Sequence, residues 1–468
     1  MNSVHFAVRA SLQKRSLCAA RFNVGPANCK FSTSAASAEA VKAYVAKAES
    51  EMSVVPGGKS SAKDVKKAAV VGAGTMGSGI AMCFANAGIP VLLMDASAEA
   101  LSLGLDKIKR AYASSFDKGK LSAEAAERCV SLVSAEQSID AAVDVDIAIE
   151  AVSERMAVKK AVFARLDATC PPSAILASNT SFLDIDEIGA ATTRPQSVCG
   201  MHFFSPAQVM PLLEVVRGKT SSVETIATAL ALGVRMRKRA VVAGNCFGFI
   251  GNRCLEGYIR EAMYLLEEGC EPAQVDAVLA DFGMAMGPFT MSDLSGNDIG
   301  YSIRKDFGLK TMHESPNTNE RYYGALPDKL VEMGRLGQKT KKGWYDYSAG
   351  RKPVEDAAVT KLIETHRAEK GITPRTIDAA EILDRCLLPL VNEGFKCVED
   401  GVATRESDVD MTYLYGYGWP RSNGGPIYWA RHVREGGLPK LVEDLNRYAE
   451  QHPTVSHWKP SGLLRSAK

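Results

Sequence analysis

Between an apolar run and a helical pattern the chain carries Val70-Val71-Gly72-Ala73-Gly74-Thr75-Met76-Gly77-Ser78-Gly79, and a second apolar run, Val91 to Met94, ends in Asp95. No other stretch restricts the possible folds as much. A strand over Ala68 to Val71 that turns through Gly-x-Gly-x-x-Gly into a helix opening at Thr75 lets backbone approach a pyrophosphate and aims the helix's free amides at its charge. Gly72 then permits the tight turn, Gly74 removes a Cβ that would block the phosphate, and Gly77 lets helix and strand pack closely. Three spaced glycines alone are a weak signal. Here Ile80-Ala81-Met82, Phe84 and Ala85 continue a helical face, Gly88 closes it, and Asp95 follows about 20 residues beyond the glycines, where a carboxylate accepts from ribose hydroxyls. That acid also repels a 2′-phosphate and no Arg follows it directly, so the expected cofactor is NAD.

Further apolar runs at Ile147 to Ile149, Ala174 to Ala177, Val198 to His202 and Leu212 to Val216 alternate with helical segments, the pattern of a doubly wound α/β sheet. Around Asn245 the strand pattern stops, and Arg253 to Gly269 shows an amphipathic stripe (Leu255, Ile259, Ala262, Met263, Leu266) closed by glycine. The run Arg253-Cys254-Leu255 to Leu266-Glu267-Glu268-Gly269, followed by Val275-Asp276 and Met286-Gly287-Pro288, is echoed farther on. Its counterpart is Arg385-Cys386-Leu387 to Val398-Glu399-Asp400-Gly401, then Val409-Asp410 and Gly418-Trp419-Pro420. The expected organisation is a Rossmann-type domain over 66–243, a helical substrate domain over 244–345, a linker over 346–375 and a second, non-catalytic helical repeat over 376–468. A site in the cleft between the first two follows.

A net charge of +2 gives no reason to expect nucleic acid or an anionic membrane as partner, and no apolar stretch is long enough for an integral membrane span. Eleven cysteines without C-x-x-C spacing, several in apolar runs (Cys83, Cys129, Cys246), read as buried free thiols. Residues 1–38 contain no acid, while Arg9, Lys14, Arg15, Arg21 and Lys30 are interleaved with Ser, Ala, Phe and Leu. That composition predicts a mitochondrial transit peptide and a matrix location, with an Ala/Ser/Gly-rich linker over 39–65. The terminal Arg465-Ser466-Ala467-Lys468 is not a Ser-Lys-Leu peroxisomal address. The peroxisome is the alternative location.

Hydride transfer needs a partner for the proton, and histidine exchanges one near neutrality. His202 is the one histidine between the glycine motif and residue 312, and it ends an apolar run where strand ends of an open sheet present functional residues. Glu214 sits inside Leu212-Leu213-Glu214-Val215-Val216, where a carboxylate is costly unless paired, and pairing with an imidazole would hold its tautomer. Ser178-Asn179-Thr180-Ser181 and Asn252 supply small polar groups able to hydrogen-bond a substrate oxygen. Taken singly, Ser181 also fits a helix cap, Asn252 a turn polar group and Glu214 a solvated strand end.

Gly72-x-Gly-Thr-Met-Gly77, Ser178-Asn-Thr-Ser181, Met201-His-Phe-Phe-Ser-Pro206, Leu213-Glu-Val-Val216, Gly248-Phe-x-x-Asn-Arg253 and Met286-Gly-Pro-Phe289, in this order, resemble the L-3-hydroxyacyl-CoA dehydrogenase family. The tail, with Gly416-Tyr-Gly-Trp-Pro-Arg421 and Gly424-Gly-Pro426, resembles the second helical domain of peroxisomal multifunctional β-oxidation enzymes. The resemblance implies NAD-dependent oxidation of L-3-hydroxyacyl-CoA to 3-oxoacyl-CoA, with His202 as general base, Glu214 as its partner, and Ser181 and Asn252 as hydrogen-bonding groups for substrate oxygens. It implies a cofactor set of Gly72, Gly74, Met76, Gly77, Asp95, Glu154, Lys159 and Asn179, and no metal. On position alone Lys159 equally fits a surface helical charge pair. Lys118 and Lys339 fall where the family has lysines near CoA, although each also reads as a solvated surface lysine.

Two departures shape the expectation. The region before Val65 is far too short for the enoyl-CoA hydratase domain of the multifunctional enzymes, so oxidation without hydration is expected. Asp384 stands in the repeat where Asn252 stands in the first copy, so the second copy is not expected to be a site. Instead it is expected to cover, within one chain, the surface through which short family members dimerise, giving a monomer. The alternatives are a catalytically silent NAD or acyl-CoA binder and a dehydrogenase of small free hydroxy acids.

Overall fold

The computed structural model describes residues 37–52, 54–55, 61–308 and 322–466; the expected transit peptide therefore lies, but for its last two residues, outside the described residues. One sheet organises the N-terminal half: β1 (Ala68–Val71), β2 (Val91–Met94), β3 (Val133–Glu136), β4 (Ile147–Glu150), β5 (Ile175–Ser178), β6 (Val198–Phe203), β7 (Leu212–Arg217) and β8 (Arg239–Gly244). Their order is β3-β2-β1-β4-β5-β6-β7-β8, parallel except for the antiparallel β6–β7 pair. β1, β2, β4 and β5 are buried along their whole length, as central parallel strands covered on both faces must be. Alternation sends Ala69, Val71, Leu92, Met94, Ala148 and Leu176 into one core and Ala68, Val70, Val91, Leu93, Ile147 and Ile149 into the other. The chain reverses its direction of travel across the sheet between β1 and β4, and strand ends part there to leave a crevice.

Two strands were not expected. β3 alternates half-buried and exposed residues at the sheet edge and so shows no apolar run, whereas β8 carries the short apolar run Ala240 to Ala243 behind an exposed Arg239.

Both segments expected to be linkers carry docked helices. α1 (Ala38–Glu51) buries Val41, Val45 and Ala48, and its Tyr44 hydroxyl donates to Asp410. Its polar remainder had read as a linker because only one narrow stripe is apolar. After α2 (Thr75–Asn86) and α3 (Met156–Thr169) in the sheet domain come α4 (Gly251–Glu268), α5 (Pro272–Phe282) and α6 (Pro288–Ser295) of the first helical unit. α7 (Ala357–Lys370), inside the second expected linker, joins that unit: His366 meets Glu267 at 3.0 Å, and Arg367 donates to the carbonyls of Leu266 and Cys270.

The second helical unit follows with α8 (Ala379–Glu399) and α9 (Glu406–Gly416). It packs on the first by exchanging like for like. Arg253 at the start of α4 reaches Glu393 (2.7 Å) and Asp400 (2.6 Å) at the far end of α8, while Arg385 near the start of α8 reaches Glu261 (2.6 Å) and Glu268 (2.6 Å) on α4. The two helices are thus antiparallel, and a Cβ on Gly257 would stand 2.8 Å from Pro389 where they cross. This is the self-complementary pattern of a two-fold interface, formed here within one chain.

The tail of the repeat aligns differently from the sequence reading. Asp276 accepts from the Phe289 and Thr290 amides, just after Gly287-Pro288; Asp410 accepts from the Ile427 and Tyr428 amides, just after Gly425-Pro426. The counterpart of Met286-Gly287-Pro288 is therefore Gly424-Gly425-Pro426 rather than Gly418-Trp419-Pro420. A tyrosine hydroxyl completes each carboxylate, from Tyr345 in the first unit and from Tyr44 of α1 in the second.

Candidate active site

The loop after β1 is shaped by what its glycines lack. Gly72 adopts φ +105°, and a Cβ there would lie 2.6 Å from the Ala151 carbonyl oxygen; a Cβ on Gly77 would lie 1.7 Å from the Gly72 carbonyl oxygen. Gly74 has no atom within 4 Å of such a Cβ, so the loop is crowded from beneath and open above, where a pyrophosphate needs room. Gly74 and Thr75 are exposed at the N-terminus of α2, and Met76 is half-buried beside them. The Asp95 carboxylate accepts from the Ala73 amide at 2.9 Å and the Ser97 amide at 3.0 Å, which ties the end of β2 to the glycine loop. Shape and donor set both fit NAD.

At the neighbouring strand end Glu150 is fully buried and accepts from Val152 N, Ser178 Oγ and Lys159 Nζ, each at 2.7 Å. Lys159 is 1% exposed and also reaches Glu154 Oε2 at 3.1 Å. The surface charge pair is thereby excluded. With its ammonium held between two carboxylates, Lys159 orients Glu154, and Glu154 in turn accepts from the Thr180 hydroxyl and, at 2.7 Å, from the Ser181 amide. Asn179 is held by its amide on the Glu150 carbonyl (2.8 Å) and by its Oδ1 on the Phe203 amide (2.9 Å). The loop between β5 and the next helix is thus fastened to both neighbouring strands, while the Ser181 hydroxyl has no protein partner among the described residues. Asp184, not Ser181, caps the helix that follows.

His202 and Glu214 face each other directly in the antiparallel register of β6 and β7. His202 Nδ1 lies 2.8 Å from Glu214 Oε2, and neither residue is more than 4% exposed. The other carboxylate oxygen accepts from the Ile250 (3.1 Å) and Gly251 (3.0 Å) amides at the start of α4. Free amides and the positive end of the helix thus satisfy an otherwise costly buried charge. The solvated strand end considered for Glu214 is excluded. With Nδ1 committed to the carboxylate, Nε2 is the ring nitrogen available for proton exchange. Phe204 and Phe249 lie against the ring, at centroid distances of 4.5 and 5.8 Å. Asn252, one residue into α4, accepts through Oδ1 from the Tyr417 hydroxyl at 2.9 Å.

The sequence reading missed Glu150 and Tyr417. An acid closing the apolar run Ile147 to Ile149 was a usable signal for Glu150, of the same kind as that for Glu214. Tyr417 gave none, since it arrives from the other end of the chain. Lys118 is exposed at the end of its helix, and Lys339 is exposed and pairs with Asp298 at 2.5 Å. Asp384 faces Arg434 (3.6 Å) and Arg447 (3.7 Å). Among the described residues no group of His, Cys, Asp or Glu is arranged to hold a metal, and no helix is long and apolar enough to cross a membrane.

Residues 67–246 match the family model described as 3-hydroxyacyl-CoA dehydrogenase, NAD binding domain, and residues 248–347 match 3-hydroxyacyl-CoA dehydrogenase, C-terminal domain. The chain is 44% identical over 416 residues to the peroxisomal bifunctional enzyme of Danio rerio, covering 86% of this chain and 56% of that one. It thus spans about half the length of the curated relatives it matches. Among solved structures, 3-hydroxybutyryl-CoA dehydrogenase from Escherichia coli K12 aligns with a TM-score of 0.73 at 29% identity, covering 86% of this chain and 98% of that one. The dehydrogenase part of multifunctional enzyme 1 from C. elegans aligns with a TM-score of 0.64 at 29% identity, covering 91% and 97%.

Proposed function

Because this chain belongs to the 3-hydroxyacyl-CoA dehydrogenase family, we propose that it interconverts L-3-hydroxyacyl-CoA and 3-oxoacyl-CoA in fatty acid β-oxidation. The observation that carries the reading is the buried His202–Glu214 pair, on strands of the same sheet that carries the glycine loop, with Glu214 held by the Ile250 and Gly251 amides that immediately precede Asn252. His202 Nε2 takes the proton of the C3 hydroxyl as the C3–H bond breaks, and Glu214 stabilises the imidazolium that results. NAD, when bound, supplies the hydride acceptor. Asn252 and Ser181 hydrogen-bond the substrate oxygens, and Gly72, Gly74, Met76, Gly77, Asp95, Glu154 and Asn179 bind or shape the cofactor site. Phe204 and Phe249 keep water from the ring face.

The test is NADH absorbance on adding acetoacetyl-CoA to the purified full chain. Rapid loss of NADH is expected. No loss with NADH binding intact would favour the silent binder, and equal rates on free acetoacetate would favour the small hydroxy-acid reading.

A monomer is proposed on the two-fold exchange of Arg253 and Arg385 between α4 and α8, which occupies the face a second chain would need. Sedimentation velocity is expected to give the monomer mass across a hundred-fold dilution, and a dimer that persists would overturn this. For location, the acid-free residues 1–38 support the mitochondrial matrix, while the peroxisomal name of the Danio rerio relative supports the peroxisome as a second reading. Immunolocalisation of the untagged chain decides between them.

A further inference from the structure

We propose that Tyr417, from the second helical unit, is a positioning residue for the reaction: its hydroxyl selects the rotamer of the Asn252 side-chain amide. The inference rests on the function proposed above, in which Asn252 donates to a substrate oxygen. A carboxamide has an accepting end and a donating end, exchanged by a half-turn about its last bond. The Tyr417 hydroxyl meets Oδ1 at 2.9 Å, and Nδ2 is left without a protein partner among the described residues. Burial pushes the Tyr417 phenol well above its ordinary titration range, so the hydroxyl keeps its proton and can donate to the amide oxygen it faces. With the hydroxyl donating, the amide oxygen is held toward the tyrosine and the NH2 faces away from it.

The rest of the contact is equally specific. The Tyr417 ring stands edge-on to Phe204 at 5.5 Å, and Phe204 lies against the His202 ring. Tyr413, stacked on Tyr417 at 4.7 Å, donates its hydroxyl to the Gly251 carbonyl at 3.0 Å, while the Gly251 amide donates to Glu214. A Cβ on Gly251 would come within 2.6 Å of the Tyr417 oxygen, so α4 approaches this tyrosine through a residue with no side chain. The second helical unit therefore reaches the candidate site of the first copy, on the Asn252 side and behind both aromatic and carboxylate partners of His202.

The experiment is a double-mutant cycle on the full chain, with acetoacetyl-CoA and NADH, comparing wild type, Tyr417→Phe, Asn252→Ala and the double variant. Phenylalanine keeps the ring and removes one hydrogen bond, so kcat is expected to fall about 3–10-fold with the KM for NADH unchanged. In the Asn252→Ala background the same change is expected to have no further effect, because the amide it orients is gone. Equal losses in both backgrounds, no loss in the single variant, or a melting temperature lowered enough to account for the lost activity would each overturn the inference. A wild-type chain that leaves NADH unconsumed overturns the proposed function, and this inference with it.

Discussion

His202→Gln lowers turnover about 10²–10⁴-fold and leaves NADH affinity at the wild-type value. Glutamine can still offer Glu214 a hydrogen bond, and the carboxylate keeps its two backbone donors from Ile250 and Gly251, so the fold of this corner survives. What glutamine lacks is a group that binds and releases a proton near neutrality. The dinucleotide loop is built from other atoms, those of β1, α2 and Asp95, and is not disturbed. Steady-state kinetics with acetoacetyl-CoA gives the first quantity and fluorescence titration of NADH gives the second. Near-wild-type turnover would remove His202 from the mechanism; lost NADH binding would mean that the substitution acts through the fold.

The second large effect concerns the joint between the helical units. Arg385 is 1% exposed and sits between Glu261 and Glu268, with His457 on the other oxygen of Glu261 at 2.9 Å. Arg385→Met keeps most of the volume and leaves the fully buried Glu261 carboxylate without its guanidinium, so a stability loss of about 3–5 kcal/mol is expected. Adding Glu261→Gln should recover much of it, since an unpaired charge then no longer needs to be buried. Arg253→Met, at the symmetry-related position, should cost less, because Arg253 is 19% exposed and Asp400 is 54% exposed. All four tryptophans, Trp344, Trp419, Trp429 and Trp458, lie in the helical units, so their fluorescence reads this joint in urea titrations.

The same pair sets an acid limit. Burial alone would raise the Glu261 carboxyl, but Arg385 and His457 hold it down at about 2. A folded value below the unfolded one contributes stability that is present above the ordinary carboxylate range and is lost as pH falls through it toward about 2. The tryptophan transition of the wild type should therefore weaken over that window, and Glu261→Gln should weaken less steeply. An unchanged slope in that variant would mean that other carboxylates set the acid limit.

The glycine turn was legible because its requirements are local. A turn with φ +105° at Gly72, and a Gly77 whose Cβ would stand 1.7 Å from the Gly72 carbonyl oxygen, need glycine whatever the rest of the chain does. A two-residue alternation of side chains, with His202 and Glu214 each in an apolar strand, made their pairing a reasonable expectation, and the antiparallel register delivered it. Lys159 was ambiguous because helical spacing says which residues share a face but not whether that face is covered. Its burial against Glu150 came from the sheet beneath it. The helices at Ala38–Glu51 and Ala357–Lys370 read as linkers because each has only a narrow apolar stripe, and such a stripe stabilises a helix only where a surface is waiting for it.

By itself, then, the sequence determined the sheet domain, the dinucleotide turn, His202 and Glu214 as a candidate pair, and the existence of a repeated helical unit, since short-range sterics and side-chain periodicity encode all of these. Tertiary structure alone decided that the repeat folds back on its own first copy, that Tyr417 meets Asn252, that Tyr44 completes Asp410, and that Arg385 is buried between two carboxylates. Each of these contacts joins residues more than a hundred positions apart. They form only after the cores have packed, and no local pattern of residues records which distant surface will come to rest against which.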